Sequence, residues 1–342
     1  MKRIILGNTG LEINRMGFGG IPIQRVKEKE AVDTVLHAIR SGVDFIDTSR
    51  AYNTSERRIG RALKETDGKV VIASKSQSKS ADGLLKDLET SLKELQVGHI
   101  DLYQTHFVRD EKDYRAVIGP NGALEGLLKA KDQGLIHHIG LTSHSLDLLD
   151  TVIEEGLFET VMACFSFLEP AAEDNVIPKA LAKNIGVIAM KSFSGGMIDN
   201  SRLALKFALS RPGVVLIPGV ENKDLFDENW KIFESGAWEL TPGEEAEIAE
   251  IRKKADRVFC RRCDYCQPCT EHIPIQHILG IKSMVKRMGP EFLERGMIKA
   301  GLELALNCTQ CGECAARCPY GLPIPELIRE NLEWVEDLES EL

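Results

Sequence analysis

Eight of the nine cysteines in this chain lie between Cys260 and Cys318, in two tight runs. The second run, Cys308-Thr309-Gln310-Cys311-Gly312-Glu313-Cys314-Ala315-Ala316-Arg317-Cys318-Pro319, has the spacing C-x2-C-x2-C-x3-C-P. Three thiolates separated by two residues can wrap one iron-sulfur cubane and cap three of its irons, while a fourth cysteine beside proline points elsewhere. The first run, Cys260-Arg261-Arg262-Cys263-Asp264-Tyr265-Cys266-Gln267-Pro268-Cys269, has only two residues before its fourth cysteine and Thr270 where proline would follow. Zinc sites also use C-x2-C pairs, but they normally join two such pairs instead of running three or four cysteines at fixed spacing. The chemistry expected here is iron-sulfur, with two [4Fe-4S] centres, although the shortened first run leaves room for a single cluster or a different pairing.

A second group of chemical side chains lies far upstream. Asp47, Tyr52, Lys75 and His106 each sit at or just past the end of a short apolar stretch, where a lysine or aspartate is costly to bury without a partner. A tyrosine loses its proton near pH 10, and a neighbouring ammonium favours the phenolate, so Lys75 is expected to lower Tyr52 toward the working range. Asp47 would hold Lys75 charged and in place, and His106 could donate a hydrogen bond that orients a carbonyl. Together the four would protonate a carbonyl oxygen.

The elements that carry these residues repeat. From 15 to 235, short β-branched runs alternate with longer helical patterns, the mark of βα units on a parallel sheet. Strands are expected over Arg15 to Gly19, Asp44 to Asp47, Val70 to Lys75, Ile100 to His106, His138 to Thr142, Thr160 to Phe165, Gly186 to Met190 and Val214 to Ile217. The clearest helices are Lys29 to Ser41, Ala81 to Leu95, Ala123 to Asp132 and Leu225 to Phe233. Eight units fit a (β/α)8 TIM barrel, whose active sites form at the C-terminal ends of its strands. An open doubly wound sheet would carry GxGxxG after its first strand, and Gly17-Phe18-Gly19-Gly20-Ile21-Pro22 breaks that pattern at the third glycine. Ahead of the barrel, Gly7-Asn8-Thr9-Gly10 between two apolar runs suggests a β-hairpin that plugs one end. Behind it, Thr241-Pro242-Gly243-Glu244 is a capping box with proline at the first helical position, starting a helix to about Lys254.

The four upstream residues resemble the catalytic tetrad of the aldo/keto reductase family: Asp47 and Tyr52 in Asp47-Thr48-Ser49-Arg50-Ala51-Tyr52, Lys75 in Ile72-Ala73-Ser74-Lys75, His106 in Asp101-Leu102-Tyr103-Gln104-Thr105-His106. The likeness continues through Ile139-Gly140-Leu141-Thr142-Ser143 and Ile217-Pro218-Gly219-Val220. It implies a barrel, hydride transfer between NAD(P)H and an aldehyde, ketone or alcohol, and proton delivery by Tyr52. His99, His137, His138 and His144 lack such support and read as structural, as does Cys164 in its apolar run.

Barrel loops after the seventh and eighth strands, with a helix N-terminus, can hold dinucleotide phosphates. Lys191-Ser192-Phe193-Ser194-Gly195-Gly196 and Gly219-Val220-Glu221-Asn222 occupy those places, the latter before a helix that contains Glu228 and Asn229. By resemblance Ser143 would meet the carboxamide, Gly219 the adenosine phosphate region and Asn229 the adenine. The chain departs from the family pattern at Met162 and Ser166, where Gln and Asn are usual, and at Lys191, where an aromatic often stacks on nicotinamide. Leu225 stands where an arginine often takes a 2′-phosphate, and Glu221 nearby would repel one, which tilts the expectation toward NAD.

The cysteine-rich part resembles a ferredoxin, in which the proline-flanked cysteine ligates the other cluster. That resemblance assigns Cys260, Cys263, Cys266 and Cys318 to one cluster and Cys308, Cys311, Cys314 and Cys269 to the other. The intervening stretch from Ile273 to Leu306 has helical length and no strand alternation, so an α-helical ferredoxin-like domain is expected. Three parts follow: a barrel over 1–240, a linking helix over 241–257 and an iron-sulfur domain over 258–342. Both parts together resemble the iron-sulfur-containing branch of aldo/keto reductases.

Forty-three basic and fifty-two acidic residues leave a net charge of −9, against a nucleic-acid or anionic-membrane partner. No stretch approaches the apolar length of a membrane span, and Met1-Lys2-Arg3-Ile4-Ile5-Leu6-Gly7-Asn8 lacks the apolar region of a secretory leader, so a cytoplasmic protein is expected, with reduced thiols. The expected partners are a small carbonyl or alcohol and a ferredoxin-like electron-transfer protein. Clusters move single electrons and nicotinamide moves pairs, and no motif marks a flavin to join them. Two rival readings follow: an electron-transfer protein whose barrel binds flavin or substrate, and a non-enzymatic redox-sensing or docking module.

Overall fold

The computed structural model describes residues 1–341, with the backbone alone at Arg287. The chain divides into two compact units, one formed by Met1–Ser194 with Ile198–Leu240 and the other by Gly195–Met197 with the chain from Thr241 onward.

The first unit begins with strands β1 (Arg3–Ile5) and β2 (Glu12–Asn14), an antiparallel hairpin in which Ile4 faces Ile13. Leu6 and Ile13 then pack in one apolar cluster with Phe45, Leu102, Met162 and Val215, so the hairpin closes the floor of the barrel as its sequence suggests. Gly7 makes the close approach possible. Its φ is +55°, and a Cβ there would lie 2.2 Å from the Gly186 backbone nitrogen.

Eight parallel strands follow in sequential order: β3 (Phe18–Gly19), β4 (Phe45–Asp47), β5 (Val71–Ser76), β6 (Ile100–Thr105), β7 (Ile136–Thr142), β8 (Thr160–Cys164), β9 (Gly186–Met190) and β10 (Val214–Leu216). Parallel bridges from Met16 to Leu216 and from Gly19 to Gly219 join the first strand to the last. The first strand is shorter than the expected Arg15 to Gly19, because this edge meets β10 through isolated bridges. The arrangement is the expected (β/α)8 barrel.

Among the described residues, α-helices surround it: α1 (Glu28–Arg40), α2 (Ser55–Leu63), α3 (Ala81–Leu95), α4 (Glu111–Ile118), α5 (Ala123–Asp132), α6 (Leu146–Glu155), α7 (Val176–Ala182), α8 (Ser201–Leu209) and α9 (Lys223–Ser235). Several of their starts are capped by a side chain: the Ser80 hydroxyl accepts from the Gly83 amide ahead of α3, and the Asn222 side chain accepts from the Leu225 amide ahead of α9.

The second unit is helical. It holds α10 (Pro242–Ala255), α11 (Ile275–Leu279), α12 (Ile281–Met288), α13 (Gly296–Ala305), α14 (Glu313–Ala316) and α15 (Ile324–Glu341). Helix α10 opens with both hydrogen bonds of the capping box between Thr241 and Glu244, and it clusters with this unit. Ile273, Ile275, Ile278, Leu322, Ile324 and Ile328 pack against the cysteine runs. Among the described residues no helix is long and apolar enough to cross a membrane.

Candidate functional site

Parallel strands end together, so consecutive βα units bring Asp47, Tyr52, Lys75 and His106 to one rim. Asp47 is the last residue of β4 and Lys75 lies in β5; they are 2% and 1% exposed. Lys75 Nζ donates to Asp47 Oδ1 at 2.6 Å and to the Thr48 carbonyl at 2.6 Å. Tyr52 sits in the tight turn between β4 and α2, where its amide donates to Ser49 O and its carbonyl accepts from the Ser55 amide. Its ring centroid is 5.2 Å from Lys75 Nζ. His106, one residue past β6, stands perpendicular to that ring, with centroids 5.7 Å apart at 87°. All four expected residues meet.

Burial works against charge on Lys75, but Asp47, Tyr52 and the hydrogen bond to Asp47 oppose it and hold the ammonium above its usual pKa. Tyr52 keeps some surface, yet burial is its largest influence and pushes the phenol up; Lys75 pulls down and Asp47 pushes up again. Lys75 acts on Tyr52 in the expected downward direction, but burial outweighs the nearby ammonium, so the net shift is upward and not toward the working range. The consequence is a phenol that holds its proton. Burial, with Lys75 adding to it, lowers His106 to about 3, so its imidazole is neutral.

Two supporting residues escaped the sequence reading. Gln104 Nε2 donates to Asp47 Oδ2 at 3.4 Å, and its backbone pairs with Lys75 across the β5–β6 ladder. The inward alternation of Leu102, Gln104 and His106 along one strand was the signal for it. Ser49 Oγ lies 2.9 Å from His106 Nδ1 and 3.2 Å from the Lys75 carbonyl. No local pattern marks Ser49, since the contact spans 57 residues.

The residues expected to hold a dinucleotide are placed as follows. Ser143 lies just past β7, buried, and donates to the Val108 carbonyl at 2.6 Å. Lys191 and Ser192 follow β9; Lys191 has φ of +60°, and the buried Ser192 Oγ has no hydrogen-bond partner. An unsatisfied buried hydroxyl at a barrel rim fits a ligand that would complete it. Gly219 follows β10 and bridges Gly19, where a Cβ would lie 2.8 Å from Pro22 Cγ. Glu228 accepts from Ser201, and Asn229 is buried on the same helix, α9. Glu221 pairs with Arg25 at 3.7 Å, so its carboxylate has a counter-ion already. Met162 belongs to the apolar barrel floor, and Ser166 Oγ pairs with Ser194 Oγ at 2.6 Å.

In the second unit the eight cysteines line two cavities. Cys260, Cys263, Cys266 and Cys318 line one; Cys269, Cys308, Cys311 and Cys314 line the other. Each cavity thus takes three thiols from one run and the fourth from the opposite run. Arg317 ties the runs together, its Nη2 donating to the carbonyls of Cys266 at 3.1 Å and Pro268 at 2.8 Å. All nine cysteines are free of disulfides, and Cys164 lies apart, buried in β8. Four convergent thiols around a small cavity fit an iron-sulfur cubane.

Comparison with known proteins agrees with this division. Residues 4–203 match the model of the Aldo/keto reductase family, and residues 259–323 match a 4Fe-4S dicluster domain. L-galactose dehydrogenase of Arabidopsis thaliana is 29% identical over 212 residues, covering 56% of this chain and 66% of that protein. The NADH-specific methylglyoxal reductase of Escherichia coli (strain K12) is 27% identical over 218 residues, covering 55% and 65%. The chain thus spans just under two thirds of the length of these relatives. Among solved structures, the holo form of aldo-keto reductase AKR11C1 from Bacillus halodurans shares the fold, with TM-score 0.64 at 21% identity, over 73% of this chain and 96% of that one.

Proposed function

The chain belongs to the aldo/keto reductase family, and from that premise we propose that it is an oxidoreductase exchanging a hydride between NAD(P)H and a small aldehyde, ketone or alcohol. The observation that carries this reading is the solvent-excluded Lys75–Asp47 pair beneath the Tyr52 ring, with the neutral His106 standing across from it.

The substrate carbonyl oxygen sits between the Tyr52 hydroxyl and His106. Tyr52, kept protonated by burial, delivers its proton to that oxygen, and the Lys75 ammonium steadies the phenolate left behind. Asp47 and the Thr48 carbonyl hold the ammonium in place. Neutral His106 orients the carbonyl instead of competing as an acid. In the reverse direction Tyr52 accepts the alcohol proton. Ser143, Lys191, Ser192, Gly219, Glu228 and Asn229 would hold a nicotinamide dinucleotide, which would supply the hydride-transfer chemistry when bound. With Leu225 in place of an arginine, NADH is favoured over NADPH.

The eight thiols would hold two [4Fe-4S] clusters, which would supply single-electron transfer, in the sets Cys260, Cys263, Cys266, Cys318 and Cys269, Cys308, Cys311, Cys314. Their electrons come from or go to a ferredoxin-like protein.

Protein purified without oxygen should oxidise NADH or NADPH in the presence of small aldehydes or ketones, followed at 340 nm. If no carbonyl supports oxidation while a low-potential donor reduces the clusters, the hydride-transfer reading fails and electron transfer alone remains.

A further inference from the structure

Around the end of α10 the chain reverses its overall acidic character. Arg252, Lys253, Lys254, Arg257, Arg261 and Arg262 fall within eleven residues, with Asp256 the only acid among them, in a chain whose net charge is −9. Basic residues in the last turn of a helix offset its dipole, which accounts for Arg252, Lys253 and Lys254. Helix α10 has ended before Arg257, Arg261 and Arg262, so that account does not cover them.

Three of these residues shape a surface. Arg252, Lys253 and Arg257 line an open cavity of about 580 Å³, with Asp256, Tyr320 and Pro323 among its other walls. Asp256 is compensated, because it accepts from Arg261 Nη2 at 2.5 Å. The cavity is therefore lined by three basic residues and by an acid that already pairs with Arg261. Tyr320 lines this cavity and also the cavity of Cys260, Cys263, Cys266 and Cys318. Arg261 covers the Tyr320 ring at 4.1 Å and lines the thiol cavity as well. Tyr320 is thus a wall common to the basic surface cavity and the cavity of the four thiols, and it is 42% exposed.

We propose that the basic cavity at the end of α10 is the docking surface of an acidic one-electron carrier protein, which meets the cysteine set Cys260, Cys263, Cys266 and Cys318 through Tyr320. This rests on the iron-sulfur reading of those cysteines. One electron leaves the reduced carrier, which is oxidised, and enters the metal centre, which is reduced; no proton moves. The cationic rim selects an acidic partner from the carriers available and speeds encounter, while the protein's own net negative charge repels it elsewhere.

The test uses the full chain loaded with iron and sulfide, an acidic plant-type [2Fe-2S] ferredoxin as probe, and deazaflavin with light as a reductant that needs no docking. Calorimetry of the two oxidised proteins should show binding that weakens at least tenfold between 20 and 300 mM NaCl (salt range chosen for about 20 to 6 Å of screening length). The triple variant R252E/K253E/R257E should lose ferredoxin binding and reduction by ferredoxin, while keeping its iron content and its reduction by deazaflavin. Absence of binding at low salt, salt-insensitive binding, or unchanged binding in the triple variant overturns the proposal. If the triple variant fails to fold, the salt series on the native chain and the single variant R257E decide it by the same criteria. A native chain without iron-sulfur absorbance, or one that light-driven deazaflavin does not bleach, refutes the cluster assignment instead.

Discussion

Lys75 Nζ donates to Asp47 Oδ1 at 2.6 Å with both side chains sealed from solvent. Removing one member of such a pair strands a buried charge, at a cost of about 3–5 kcal/mol, whereas removing both is far milder. K75M is therefore expected to lower the unfolding free energy in urea by that amount, and D47N/K75M to regain part of it without regaining activity. A double variant no more stable than K75M would mean that the pair does not balance itself.

Tyr52 should be the proton donor for reduction. Y52F is expected to cut kcat for carbonyl reduction about 10²- to 10⁴-fold, the usual worth of a positioned acid, with nucleotide affinity retained. Fluorescence titration with NADH beside steady-state kinetics checks both halves. A near-normal rate would remove Tyr52 from the chemistry.

His106, lowered to about 3 by burial and then by Lys75, gives stability a sign with pH. Between its unfolded value near 6.5 and its folded value, the unfolded chain binds the extra proton, so acid favours unfolding. This group's contribution is complete above about pH 6.5 and is lost as pH falls toward 3, with a slope of at most about 1.4 kcal/mol per pH unit. Urea titrations of the native chain and H106Q across pH 4–7 should converge toward low pH. Parallel curves would contradict the assignment.

Ser49 acts through His106. The 2.9 Å contact to Nδ1 orients the ring and biases its tautomer, so S49A should lower kcat about two- to tenfold, the worth of one hydrogen bond, and change KM little. Nitrogen NMR of the imidazole should show an altered tautomer balance. An unchanged spectrum and rate would leave Ser49 as packing.

The cross-paired thiols make a prediction that sequential pairing does not. C269S/C308S removes two thiols from one cavity and should abolish one centre, leaving about half the iron, whereas C260S/C269S should impair both. Iron and sulfide analysis with low-temperature EPR of the reduced proteins reads this directly. The reverse pattern would mean that each run serves its own centre.

Much of the architecture was legible because it is local. Helices Ala81–Leu95 and Ala123–Asp132 coincide with their expected bounds, and the Thr241–Glu244 box starts its helix where expected. The four residues at the barrel rim were also readable, because consecutive strands of a parallel barrel must end at one face. What could not be read depends on crowding by distant segments. The net rise of Tyr52 comes from the packing around it, and the Ser49–His106 contact from two strands' ends meeting. The Arg25 partner of Glu221, nearly two hundred residues away, softens a repulsion that the carboxylate alone implied.

The interlaced cavities have a consequence for how the metal is loaded. A centre built on Cys269 and Cys308 closes an inner loop of roughly 40 residues, and one built on Cys266 and Cys318 closes an outer loop around it. Once either rung is in place the other has only a few residues left to close, so most of the entropy of closure is spent once. Each rung therefore eases formation of the other, and a chain that has lost one rung holds the remaining centre less tightly than the intact pair, during both maturation and damage by oxygen.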